Sequence, residues 1–153
     1  MTNFTHEKLF ALVLLAPVLA GVWQGLSTLN RDMAFTAVQT EVSFWGRASY
    51  QPTAATIART DRDIHQLTAV SVNPEHLALQ AAYASWRGFW AENAVERGKF
   101  ATMAVNSQYQ ALQSRPAHRH SWTKMVKYSS RDVRGAAFLA QAQARLAALQ
   151  PSR

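Results

Sequence analysis

A long apolar run opens the chain, and apolar residues then recur at helical intervals to its end. From Leu9 to Asn30 there are 22 residues without a charge, twelve of them Leu, Val, Phe or Trp. A helix needs about 20 such residues to cross the hydrocarbon core. At roughly −0.3 to −0.6 kcal/mol each, the apolar residues favour insertion by several kcal/mol. Pro17, Gly21, Gln24, Gly25, Ser27, Thr28 and Asn30 oppose it. Three readings compete: an uncleaved anchor, a cleaved signal segment and the first helix of a soluble bundle. Lys8, the run Leu9–Leu19 and the small-residue step Val18-Leu19-Ala20 suit a cleaved signal. The apolar character continues through Val22, Trp23, Leu26 and Leu29, beyond that step, and this favours the anchor. A very short N-terminus stays in the cytoplasm. The expectation is a single pass through a bacterial inner membrane, with the rest of the chain in the periplasm.

Past the run, Arg31–Trp45 contains no helix breaker, and Phe35, Val38, Val42 and Trp45 fall on one face. The first helix is expected to continue to Gly46. Pro52 and Thr53 mark the turn that follows, with Thr53 as the cap of a helix reaching about Ser71. Ile57, Ile64, Leu67 and Val70 form its apolar face. Further helices are predicted over Pro74–Trp90, Val95–Gln113, Ala117–Ser130 and Val133–Gln150. Alanines such as Ala81, Ala84, Ala140 and Ala142 permit close helix contact. Leu77, Leu79, Tyr83, Trp86, Trp90, Phe100, Met103, Tyr109, Leu112, Trp122, Met125, Tyr128, Phe138, Leu146 and Leu149 are the candidate core. The division is 1–30 anchor or signal, 31–52 membrane-proximal helix and turn, and 53–153 helical domain. The fold class is all-α.

An internal echo supports pairing of these helices. "AVSVNPEH" at 69–76 matches "ALQSRPAH" at 111–118, and "ALQP" at 148–151 closes the chain in the same way. Each proline follows a helix end and suits the first turn of the next helix. The pattern resembles degenerate tetratricopeptide repeats over 74–151, with Trp122, Met125 and Val126 at the large, aliphatic and small positions. Two units are fewer than the three a stable stack needs, so Thr53–Ser71 is expected to act as a cap. The order of segments also resembles the VpsP-type exopolysaccharide biosynthesis proteins. The residues that carry this are "EVSFWGRASYQPT" at 41–53, "NPEHLALQAAYASWRGFW" at 73–90 and "SRPAHRHSW" at 114–122. The resemblance implies an envelope protein that assists polysaccharide assembly or export. It supplies no catalytic signature.

Charge sharpens the picture. The net charge is +7, but residues 31–96 carry five Arg against seven acids, and residues 97–153 carry ten Lys and Arg against Asp132 alone. A basic C-terminal half suits an anionic partner, or else a solvated surface. Lys124, Lys127, Arg131 and Arg134, spaced 3, 4 and 3, share a face if one helix runs through them, with Arg119 a turn earlier. That stripe is a candidate site for an anionic polysaccharide, a lipid phosphate or an acidic protein. The alternative is a helix that breaks near Ser130–Asp132. Phe44, Trp45, Arg47 and Tyr50 form a second candidate, for carbohydrate or a partner, unless they close the first helix onto the core.

Enzyme chemistry finds little support. Cysteine is absent, which excludes thiolate sites and a Cys nucleophile. His65, His76, His118 and His120 invite a metal reading, but His118 and His120 alternate at a helix start and lack Cys, Asp or Glu at ligand spacing, so no metal or other cofactor is expected. His76 and His118 occupy equivalent positions of the echo, which favours a structural role. Ser121 follows His120 without a glycine-bracketed elbow. Asp61 and Asp63, beside Arg59 and Arg62, look like surface ion pairs rather than an acid–base dyad. Gly88, Gly98 and Gly135 are scattered and suit loops or close helix contacts. The reading is a non-enzymatic accessory module that docks a protein in a polysaccharide machine. A basic protein that binds nucleic acid or another anionic polymer is the alternative, and an anchor facing out of the cytoplasm would exclude nucleic acid.

Overall fold

A computed structural model describes residues 6–70, 73–132 and 135–149, with backbone only for 6–14 and 70. Six helices and no strand occur among the described residues. They are α1 (His6–Phe44), α2 (Ala54–Val70), α3 (Pro74–Trp90), α4 (Ala94–Ser114), α5 (Arg119–Ser129) and α6 (Ala136–Ala148). The all-α expectation holds, and α2 to α5 start within two residues of the positions read from the pattern.

The caps explain those starts. Thr53 Oγ1 accepts the Thr56 amide at 3.1 Å and opens α2. Asn73 Oδ1 accepts the Glu75 amide at 2.8 Å, and Pro74 occupies the first turn of α3. Asn93 does the same for α4 through the Glu96 amide, again at 2.8 Å. Pro116 behaves differently from Pro74. It lies in a turn ahead of α5, whose cap is His118, and its carbonyl accepts the Trp122 indole N–H at 2.8 Å. Gly135 closes the turn between α5 and α6. A Cβ there would overlap the Ser129 carbonyl oxygen, so no larger residue fits without a backbone shift. Residues 133, 134 and 150–153, where the sequence places the two ends of the last helix, lie outside the described residues. So do Ser71, the expected end of the second helix, and Pro151.

Each helix packs on its neighbours in sequence, most extensively α3 on α4. Two cores meet at α3. One gathers Val38 and Val42 of α1, Trp45 just past its end, Ile64 and Leu67 of α2, and Leu79 and Tyr83 of α3. The other gathers Ala81 and Ala84 of α3, Ala104, Val105 and Leu112 of α4, Trp122, Met125 and Tyr128 of α5, and Ala142 of α6. The alanines do what their size allows: Ala81, Ala84 and Ala142 are wholly buried where helices cross. Of the glycines, Gly88 sits inside α3 against Phe100 and Arg97 of α4, a close helix contact. Gly98 lies inside α4 with nothing near it, neither loop nor contact.

α1 is 39 residues long, about 58 Å at 1.5 Å per residue. It runs without a break through Pro17. Its packing begins only at Ala34 and Phe35. From Leu15 to Met33 every side chain is exposed except half-buried Ser27. Among the described residues no helix is long and apolar enough to cross a membrane. The side chains of Leu9–Leu14, part of the apolar run, lie outside the described set.

Candidate functional site

A groove of about 630 Å³ opens among the described residues. α1 supplies one wall through Phe35, Gln39, Val42 and Ser43. α3 supplies the floor through Glu75, Ala78, Leu79, Ala82 and Trp86. The other wall is Arg115, His118, His120, Ser121 and Lys124, from the α4–α5 turn and the start of α5. α1, α3 and α5 supply most of the lining and Ala111 of α4 joins them, while no residue of α2 or α6 is among the lining.

Local chemistry holds the basic wall in place. Gln108 of α4, fully buried, donates its amide N–H to the Ser121 carbonyl at 3.1 Å and ties the first turn of α5 to α4. Its Oε1 has no partner among the described residues. His118 Nδ1 lies 2.7 Å from Ser121 Oγ. It is a side-chain contact within the first turn of α5, and His118 makes no side-chain cap hydrogen bond to the backbone. The His120 ring lies 6.2 Å from that of His118 between centroids, and among the described residues no carboxylate is within salt-bridge distance of either. Arg115 Nη2 donates to Glu75 Oε1 at 3.1 Å, with both side chains about half exposed, so the pair contributes under about 1 kcal/mol. It neutralises the single carboxylate of the groove lining. Among the described residues no group of three metal-ligating side chains occurs.

The basic stripe expected from the sequence is not continuous. α5 ends at Ser129, because Gly135 must fold back against the Ser129 carbonyl. Lys124 lines the groove, and Lys127 and Arg119 are exposed elsewhere on α5. Arg131 lies beyond the helix and donates to Ser85 Oγ at 3.3 Å, beside a second hollow of about 390 Å³ that Arg97 and Phe89 also line. Arg134 lies outside the described residues. Two of the four basic side chains thus face different hollows along α3.

The aromatic cluster closes α1, as its second reading expected. Trp45 is 2% exposed, which corrects its place among the carbohydrate-contacting residues. Its indole N–H donates to Glu41 Oε1 at 2.8 Å, and the Tyr50 hydroxyl donates to the same oxygen at 2.5 Å. That hydrogen bond raises the Tyr50 pKa. Phe44 is half-buried, 5.9 Å from the Tyr50 ring and covered by the Arg47 guanidinium at 4.1 Å. These faces are already occupied.

Two other residues differ from their reading in the sequence. Asp61 accepts from the Tyr83 hydroxyl at 2.8 Å and pairs with His65 at 3.7 Å, not with Arg59 or Arg62. Burial, then the Asp61 hydrogen bond, pushes the Tyr83 phenol well above its ordinary range. His76 is buried, with Nδ1 3.2 Å from the Leu67 carbonyl and its ring 5.2 Å from Phe35, whereas His118 is exposed. His76 is thus packed in the core, and His118 stands at the start of α5. No family model, curated protein or solved structure matches the chain.

Proposed function

We propose that this protein is a non-enzymatic, membrane-anchored accessory module of bacterial exopolysaccharide assembly, which docks a partner protein through its helical body. The observation that carries the reading is the shape of α1. Its described first part displays Leu15, Val18, Leu19, Val22, Trp23, Leu26 and Leu29, each more than half exposed. Soluble monomers rarely expose apolar patches of that extent. A bilayer would cover them, and the helical backbone satisfies its own hydrogen bonds there. The same helix then becomes a wall of the groove, which ties the docking surface to the anchor.

A tetratricopeptide-like stack supports the docking part. Consecutive helices pair, and α1, α3 and α5 supply most of one concave face, with Ala111 of α4 beside them. In this arrangement α1 and α2 form the third hairpin that the two clear repeats lack. The VpsP-type resemblance supplies the pathway, and the body lies in the periplasm in that setting.

The test is fractionation followed by crosslinking. The full chain is expected to stay in the membrane pellet after a carbonate wash. Crosslinking in those membranes is expected to recover polysaccharide-assembly proteins. Release into the soluble fraction, or neighbours of an unrelated process, contradicts the proposal. The basic half favours a second reading, an anionic-polymer binder. It predicts affinity for any duplex that falls steeply with salt.

A further inference from the structure

We propose that the groove receives an acidic amphipathic helix of the partner protein, its apolar face on α3 and its carboxylates toward α5. This rests on the docking reading above and specifies the chemistry of the docked segment. The groove is two-sided. Val42, Ala78, Leu79 and Ala82 make its inner side apolar, while Lys124 and His120 stand on the opposite wall. Ala78 and Ala82 are one turn apart on α3, so between Glu75 and Trp86 the floor is low and a second helix can lie close to it there. The apolar side chains of such a helix gain by leaving water, and its acids meet the basic wall.

Charge decides the sign of the ligand. Glu75 is the single acid in the lining, and Arg115 already neutralises it at 3.1 Å. Among the described residues the carboxylate contacts within salt-bridge distance are Asp61 with His65 and Glu75 with Arg115, and none involves Lys124. An incoming carboxylate meets a cation that no described carboxylate pairs. Ring geometry argues against a sugar chain in the same place. Trp86 is stacked on Trp90 at 5.7 Å and Phe35 packs on His76 at 5.2 Å, so the aromatic rings of the groove are engaged within the protein. Nucleic acid is disfavoured by the apolar floor, since backbone binding needs a track of cations.

The probe is a fluorescent peptide of about four helical turns, Leu on one face and Glu on the other, titrated into the full-length protein in detergent micelles. Saturable binding that weakens with salt is expected. Its Glu-to-Gln twin should bind at least about tenfold more weakly, and Lys124→Glu should lower affinity for the acidic peptide by a similar factor. Ala82→Trp, which fills the floor, should abolish binding with helicity retained. Lys127→Glu, on the same helix but outside the groove, should change affinity less than about twofold. Equal binding of the Gln twin overturns the proposal. So does a Lys127→Glu loss as large as that of Lys124→Glu, which would mean general charge attraction. Displacement of the peptide by an oligogalacturonate at lower concentration would assign the groove to an acidic saccharide instead. Recovery of the same crosslinked neighbours with Lys124→Glu as with the native chain would leave the docking reading standing and remove this one.

Discussion

Trp23 and Trp45 lie on one continuous stretch of chain, and their surroundings are opposite. Trp23 is 76% exposed and Trp45 is 2% exposed. Around Trp23, the backbone of α1 has no neighbour: a Cβ added at Gly21 or Gly25 meets nothing within 4 Å. Around Trp45, Tyr83 and Trp90 pack at 5.5 and 5.2 Å, and Glu41 accepts its indole N–H. Both regions are apolar in sequence. The difference is that α2 and α3 cover one of them, and no described residue covers the other. Apolar content alone therefore does not define this core. It requires a partner element, and for the first part of α1 we propose that the partner is lipid.

Substitution of the two tryptophans breaks the comparison most sharply. Trp45→Ala should cost about 3–5 kcal/mol, because it empties the junction of α1, α2 and α3. Trp23→Ala should cost under about 0.5 kcal/mol for the body in detergent. Denaturant unfolding of both variants in one detergent checks this; equal losses would mean that Trp23 has a packing partner in the fold. Glycines give a smaller version of the same contrast. A Cβ at Gly46 would lie 2.8 Å from the Trp86 ring, itself held against Trp90, so Gly46→Ala should cost about 1–3 kcal/mol. Gly21→Ala meets open space and adds helix propensity, so it should be neutral or stabilising by up to about 1 kcal/mol.

The smallest effect at neutral pH belongs to the packed body alone, which holds the tyrosines whose phenols are shifted. Burial pushes Tyr128 up to about 12, and Tyr83 is shifted in the same direction. Unfolded phenols ionise near pH 10. The folded state holds these protons more tightly, so its stability is full below about pH 10 and falls as pH rises toward 12. Tyr128→Phe should flatten that alkaline limb in a pH series of unfolding curves. An unchanged limb would mean that Tyr128 ionises alike in both states.

The helices were legible because their punctuation is local. Thr53, Asn73 with Pro74, and the alternation of Ile57, Ile64 and Leu67 act over a few residues, and each does in the fold what its spacing implies. The groove was not legible, because it is made by distant pairs. Glu75 meets Arg115 across 40 positions, and Phe35 of α1 faces a lysine of α5. The basic stripe required one helix to run through it, and the break near Ser130–Asp132 that the sequence also allowed is the one the fold shows. The spacing was helical, but the Gly135 turn at Ser129 ends α5 before Arg131. Asp61 was misread, since its partner Tyr83 lies on another helix. The echo of His76 and His118 was real in sequence, yet α1 and α2 cover one histidine and leave the other in the groove.

Cysteine accessibility along α1 tests the central claim most directly, since the native chain has no cysteine to confuse the labelling. Leu19→Cys and Ala37→Cys sit on exposed positions of the two halves. In native membranes opened to the reagent on both faces, an impermeant maleimide should label Ala37→Cys and leave Leu19→Cys unreacted until detergent is added. Equal labelling of the two before detergent would show that water, not lipid, surrounds the first half of the helix.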